Sequence, residues 1–198
     1  MKRRVRLLAG AAALTVVLAT VSPAAATAAV DPPSRGGGSG SDGRWVTLVT
    51  GHRVFASRTA EGRWTALTEP EPGGRAAGFV QYDRRHGDET DLYVLPHEAV
   101  PLVRAGTLDV ELFNVSGLVR QRYDDAHTDT VPLLVEYPDV AATAAPEGSR
   151  VERTLPDLRL AAVEERKADA RRFWSAVTAG EPGAARLAVG PRWIWLNA

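Results

Sequence analysis

The sequence predicts an α+β protein built of short antiparallel strands with a few helices. Runs of β-branched and aromatic residues alternate with Gly- and Pro-containing turns, the pattern of short strands. Ala170, Phe173, Trp174 and Val177 stand at i, i+3, i+4 and i+7, one helical face. The 198 residues include no cysteine, so the fold must rest on its core rather than on disulfide staples.

Residues 1–28 have the form of a signal peptide. Lys2, Arg3, Arg4 and Arg6 make a basic start, residues 7–21 are rich in Ala, Leu and Val, and small residues follow. Ala24-Ala25-Ala26 and Ala26-Thr27-Ala28 each fit the A-x-A pattern, which predicts secretion by a Sec-type route with cleavage after Ala26 or Ala28. The apolar run of about 15 residues falls short of the ~20 a spanning helix needs, so no stable membrane anchor is expected. Residues 29–43 are a Pro/Gly/Ser linker with too little apolar content to fold.

A mainly-β unit is expected over residues 44–137. Residues 45–50 favour a strand, Gly51-His52-Arg53 turns the chain into a second at 54–57, and Glu61-Gly62 turns it again before 63–67. Beyond the Pro/Gly-rich loop 69–77, strands are predicted at 78–82 and 91–95 around the charged turn 83–90. Residues 96–106 read as a short helix closed by Gly106, with Pro101 tolerable only near its first turn. Further strands are expected at 112–115 and 131–137.

An Ala/Pro/Gly linker at 138–150 suggests a boundary near residue 145, followed by a strand-helix-strand unit over residues 151–198. Its segments are an extended apolar run at 158–163, a helix at 164–178, breakers at 180–183, and a last strand, Trp193-Ile194-Trp195-Leu196. At ~45 residues without staples such a unit sits near the lower limit for folding alone, so it should lean on the first unit or on a partner. Phe173, Trp174 and Val177 are its expected core. Strand alternation sends Trp193 and Trp195 to one face and Ile194 and Leu196 to the other. Both faces are apolar, which makes these four residues the candidate partner-binding set.

Charge and motif patterns exclude several functions. Twenty-four basic and 24 acidic residues cancel, and four of the basic ones belong to the signal peptide, so no basic face for nucleic acid is visible. Ser57, Ser116, Ser149 and Ser175 lie in no nucleophile-elbow setting, and Ser116 reads as a turn or cap residue in the sequon Asn114-Val115-Ser116. His52, His86, His97 and His127 lack metal-ligand spacing and read as solvated loop residues. Asp83, Asp88, Asp91, Asp124, Asp125 and Asp129 form no calcium-loop pattern and read as turn caps. No catalytic residue, metal or cofactor is therefore assigned.

Three stretches carry a family resemblance. The first is Trp45-Val46-Thr47-Leu48-Val49-Thr50-Gly51 with Arg53-Val54. The second, within residues 92–137, holds Tyr93-Val94-Leu95-Pro96, Ala105-Gly106 with Leu108-Asp109, Leu112-Phe113-Asn114-Val115, Leu118-Val119, Tyr123-Asp124-Asp125 and Pro132-Leu133-Leu134-Val135. The third comprises Arg153-Thr154-Leu155-Pro156, residues 161–163, Lys167, Phe173-Trp174 and Trp195-Leu196. In order and spacing they resemble the N-terminal pro-region of secreted actinobacterial subtilisin-like (S8) serine peptidases, across nearly all of residues 45–198.

The resemblance implies a secreted, non-catalytic prosegment that assists the folding of a subtilisin-like catalytic domain and inhibits it, in cis or in trans. It also implies that the last unit is similar to half of the ferredoxin-like propeptide-inhibitor domain. His52 stands where an acidic residue is usual, Asn197-Ala198 replaces the usual Asp-Gly, and the family's catalytic domain is expected to be absent from this module. Two extended residues reach only about 7 Å, so weak occlusion of the substrate groove is expected. The same residues admit two other readings: a truncated fragment of a full S8 endopeptidase precursor, and an independent secreted interaction domain.

Overall fold

A computed structural model describes residues 43–70, 78–138, 145–178 and 191–197. The expected signal peptide, most of the linker after it and the breakers at 180–183 lie outside these residues. The architecture is mixed α+β with antiparallel sheets and few helices.

Strands β1 (Arg44–Thr47), β2 (Arg53–Arg58) and β3 (Trp64–Thr68) form an antiparallel meander in the order β1-β2-β3. Strands β4 (Phe79–His86) and β5 (Glu89–Pro96) form a hairpin. It is longer than the sequence suggested, because the polar residues 83–86 and 89–90 continue the ladder as an exposed ribbon. Helix α1 (Val100–Arg104) has Pro101 in its first turn, and Gly106 beyond its end takes φ +71°.

Of residues 112–115, expected as a strand, only Asn114 pairs, in a single antiparallel bridge with Tyr93; the residues on either side of it are helical. A 3-10 turn spans Val110–Phe113 and α2 spans Val115–Arg120. Two short polar side chains cause this: Asp109 accepts from the Glu111 amide at 3.1 Å, and Asn114 accepts from the Gly117 amide at 2.8 Å. Each caps a helical turn that an extended chain would leave without that bond.

Strands β6 (Thr130–Glu136), β7 (Ser149–Leu155), β8 (Leu160–Arg166) and β9 (Trp193–Leu196) make one four-stranded antiparallel sheet in the order β7-β8-β6-β9. Three expectations change here. Strand β7 was not foreseen, because its RVERT stretch is polar and lies at an exposed sheet edge. Residues 164–166 end β8 rather than begin a helix; α3 (Ala170–Thr178) starts after a 3-10 turn at Lys167–Asp169. The boundary expected near residue 145 does not divide the core. Strand β6, from before it, is the partner of both β8 and β9 from after it, and the described residues on both sides fall in one compact unit.

Gly148 fits the close passage where β7 begins beside α3. It takes φ +78°, and a Cβ there would stand 2.8 Å from the Asp169 carbonyl oxygen. The core joins all three sheets: Val46, Val54, Tyr93, Phe113, Leu133, Val135, Val163, Phe173 and Ile194 are fully or almost fully buried. Among the described residues no helix is long and apolar enough to cross a membrane.

Candidate functional site

The four-stranded sheet has two unlike faces, and period-2 alternation along each strand creates the difference. On the inner face Leu133 and Val135 of β6, Ala161 and Val163 of β8, and Ile194 of β9 are buried. Ala170, Phe173, Trp174 and Val177 of α3 are buried in the same core.

The outer face remains half-exposed although it is largely apolar. Leu134 sits between Ala162 on β8 and Trp195 on β9, while Glu136 sits between Leu160 and Trp193. Leu155 of β7 pairs with Leu160 and extends the apolar strip to the far edge. Trp193 and Trp195 lie side by side, ring centroids 6.0 Å apart. The Arg192 guanidinium stands 4.5 Å over the Trp193 ring and 3.9 Å from a Glu136 oxygen. Across the sheet, Arg150 closes the face with charge, bonded to Glu164 at 2.8 Å and Glu152 at 2.6 Å.

The four candidate partner-binding residues therefore divide. Trp193 and Trp195 are on the outer face, whereas Ile194 is fully buried and Leu196 packs against the core. Ile194 cannot meet a partner, since the space over it is filled by the rest of the protein. Sequence reasoning missed Leu134, Leu160 and Ala162, whose signal was the alternation of β6 and β8 once those strands were in register. The backbone of β9 is also engaged beyond β6: Ile194 N donates to Thr107 O at 3.2 Å, and its carbonyl accepts from Asp109 N at 2.9 Å. A partner would meet side chains here rather than add a strand at this point.

Polar residues singled out from the sequence have structural partners. Ser116 is fully buried; its hydroxyl donates to Asp91 at 3.1 Å and accepts from the Leu92 amide at 2.9 Å. It is thus neither a turn residue nor the cap, a role Asn114 takes. Asn114 is itself only 4% exposed and gives its amide to Asp91, which closes the sequon to any glycan. Arg120 completes the network with a 2.6 Å contact to Asp91. Burial pushes the Asp91 carboxyl up, but hydrogen bonds from Arg120, Asn114 and Ser116 outweigh it and hold the carboxyl below its ordinary range.

Two histidines depart from the solvated-loop expectation. His52 is 6% exposed, bonded through Nδ1 to Thr50 Oγ1 at 2.9 Å and set edge-on to Phe79. His127 meets the buried Asp124 at 2.6 Å. Asp124 also caps its own turn, accepting from the Ala126 amide at 3.1 Å. Ser57 bonds Thr65, Ser149 bonds the Pro146 carbonyl, and Ser175 is exposed on α3. Among the described residues no group of three or more His, Cys, Asp or Glu side chains is placed to hold a metal.

The arrangement offers an apolar, aromatic-rimmed sheet face suited to surface docking. Against known proteins, no family model, no curated protein and no solved structure matches this chain.

Proposed function

We propose that this chain is a secreted, non-catalytic prosegment-like module that assists the folding of a subtilisin-like serine protease and occupies its surface. The observation that carries the reading is the partly exposed apolar strip on the outer face of β9-β6-β8, with Leu134 and Leu160 on the inner strands and Trp193 and Trp195 along the β9 edge. A partly exposed, aromatic-edged apolar strip on a sheet face is the kind of surface on which a partner docks.

Topology supports the finer fold reading. Strands β8 and β9 are both antiparallel to β6, which lies between them, and α3 connects them. A strand-helix-strand unit with a third strand between its two strands is also what the family resemblance implies for a propeptide inhibitor, and this likeness supports the reading. A preformed sheet laid on a folding catalytic domain would stabilise that domain's transition state and afterwards cover a portion of its surface.

Refolding tests the proposal. Adding the chain to a denatured subtilisin-like catalytic domain is expected to raise the yield of active enzyme at least severalfold over buffer or an unrelated protein. A Trp193→Ala/Trp195→Ala variant that keeps the wild-type fold should lose that gain. Equal yields with and without the chain, for catalytic domains from several such proteases, would contradict the reading.

A further inference from the structure

Glu165, on β8, is fully buried, and neither of its carboxylate oxygens has a hydrogen-bond partner. An ionised carboxylate in that setting is costly, so the folded protein favours the neutral acid. The strands beside it offer no charge in register: Val131 stands opposite on β6 and Ser149 on β7. On α3, Arg171 and Arg172 are exposed. The charges that act on Glu165 are those of Lys167 and Asp169. Asp169 is engaged with Arg166 at 2.9 Å and Arg172 at 3.5 Å.

Lys167 is the informative neighbour. Its side chain is 7% exposed, and its ammonium donates to the Tyr123 carbonyl at 2.6 Å and to Asp125 Oδ1 at 3.0 Å. Asp125 in turn accepts from the Thr47 amide and hydroxyl, both at 2.9 Å, and stands 3.6 Å from Arg53. The Asp125 amide donates to Trp45 O at 2.8 Å. In the same loop, Asp124 is buried against His127. Lys167 thus fastens the 123–125 loop, and through it β1 and β2, to the end of the four-stranded sheet.

We propose that Glu165 is a proton-held latch. While protonated it leaves Lys167 on Asp125 and the Tyr123 carbonyl; once its proton passes to water, the carboxylate competes for that ammonium and loosens β1 and β2 from the sheet. Burial, opposed by Lys167 and reinforced by Asp169, pushes the carboxyl up to about 8 from an ordinary 4.5. Because the folded value lies above the unfolded one, this contribution is fully present below pH 4.5, falls as pH rises, and is lost by about pH 8.

The test follows urea unfolding and amide exchange of the purified chain from pH 5 to 9.5, beside Glu165→Gln. Over the rising window, Glu165 alone should increase the wild-type unfolding constant about tenfold per pH unit, and the Gln variant should lack that component. The variant also controls for His52 and His127. At pH 9, exchange at Thr47 and Asp125, corrected for intrinsic base catalysis, should rise at least tenfold in the wild type and stay unchanged in the variant. Should Glu165→Gln fail to fold, carbon NMR titration of the wild-type carboxyl replaces it: a midpoint near 8 supports the latch, and one near 4.5 overturns it. Ionisation near pH 8 without faster exchange at Thr47 and Asp125 would equally overturn it.

Discussion

Phe173→Ala is expected to destabilise the protein by about 3 to 5 kcal/mol, the usual cost of emptying a buried aromatic site. Phe173 is 0% exposed and stands in one core with Val163, Val177 and Ile194, where little can collapse into the space left. For a domain of this size the loss corresponds to a Tm roughly 6 to 20 °C lower. Strand β6 shares its sheet with β8 and β9, so the damage should not stay within residues 151–198. Urea unfolding followed by fluorescence should show one transition moved to lower denaturant. A change below about 1 kcal/mol would mean that α3 does not pack as described.

Asp91→Ala should cost about 2 to 4 kcal/mol. Asp91 is 3% exposed and receives Asn114, Ser116 and Arg120; Ser116 keeps Asn114 Oδ1 at 3.0 Å and the Asn114 amide keeps Glu111 at 2.9 Å, so removal of the carboxylate costs each buried donor one acceptor and leaves the network incomplete. The figure lies at or below the ~3 to 5 kcal/mol for breaking a fully buried pair, because the Arg120 side chain is 33% exposed and can return to water. Acid behaviour gives a second readout. The folded Asp91 carboxyl lies below its ordinary value of 3.8, so its contribution is present above that pH and is lost as pH falls through the lower folded value. In Asp91→Asn that acid-dependent component should vanish while the rest of the unfolding profile remains. Unchanged acid unfolding in Asp91→Asn would show that the network does not hold α2 against β5.

What the sequence made legible was mostly local. β-branching and apolar composition marked β1, β2 and β6 and the first half of β8, and turn chemistry marked Gly51 and Gly106. The misses came from local side-chain capping in one case and from tertiary pairing in the others. The apolar run at 112–115 has strand composition, yet Asp109 and Asn114, each within hydrogen-bond reach of a nearby amide, turn it helical. Strand β7 is polar on its exposed positions and is recognisable only beside β8. The division at residue 145 failed because a Pro/Gly-rich connection says where the chain is loose and nothing about which strands pair across it.

The site was legible in half. Alternation put Trp193 and Trp195 on one face, but which face the core would cover depended on α3 and the 107–113 segment. Leu134, Leu160 and Ala162 join the tryptophans only through register with β6 as the central strand. Glu165 was invisible as a special residue, since a Glu in Val163-Glu164-Glu165-Arg166 reads as a solvated charge until β8 turns it inward.

The central claim is that the outer sheet face docks on a subtilisin-like catalytic domain, and a binding titration tests it most directly. The wild-type chain, Trp195→Ala and Leu67→Ala are each titrated against an active-site-blocked catalytic domain. Leu67 is 70% exposed on β3, a strand of a different sheet, and serves as the control. The account predicts measurable wild-type binding, a loss of at least ~1 to 2 kcal/mol for Trp195→Ala, as an aromatic interface anchor commonly gives, and no change for Leu67→Ala. Absence of binding to every such domain tried, or binding that Trp195→Ala leaves untouched, would contradict it.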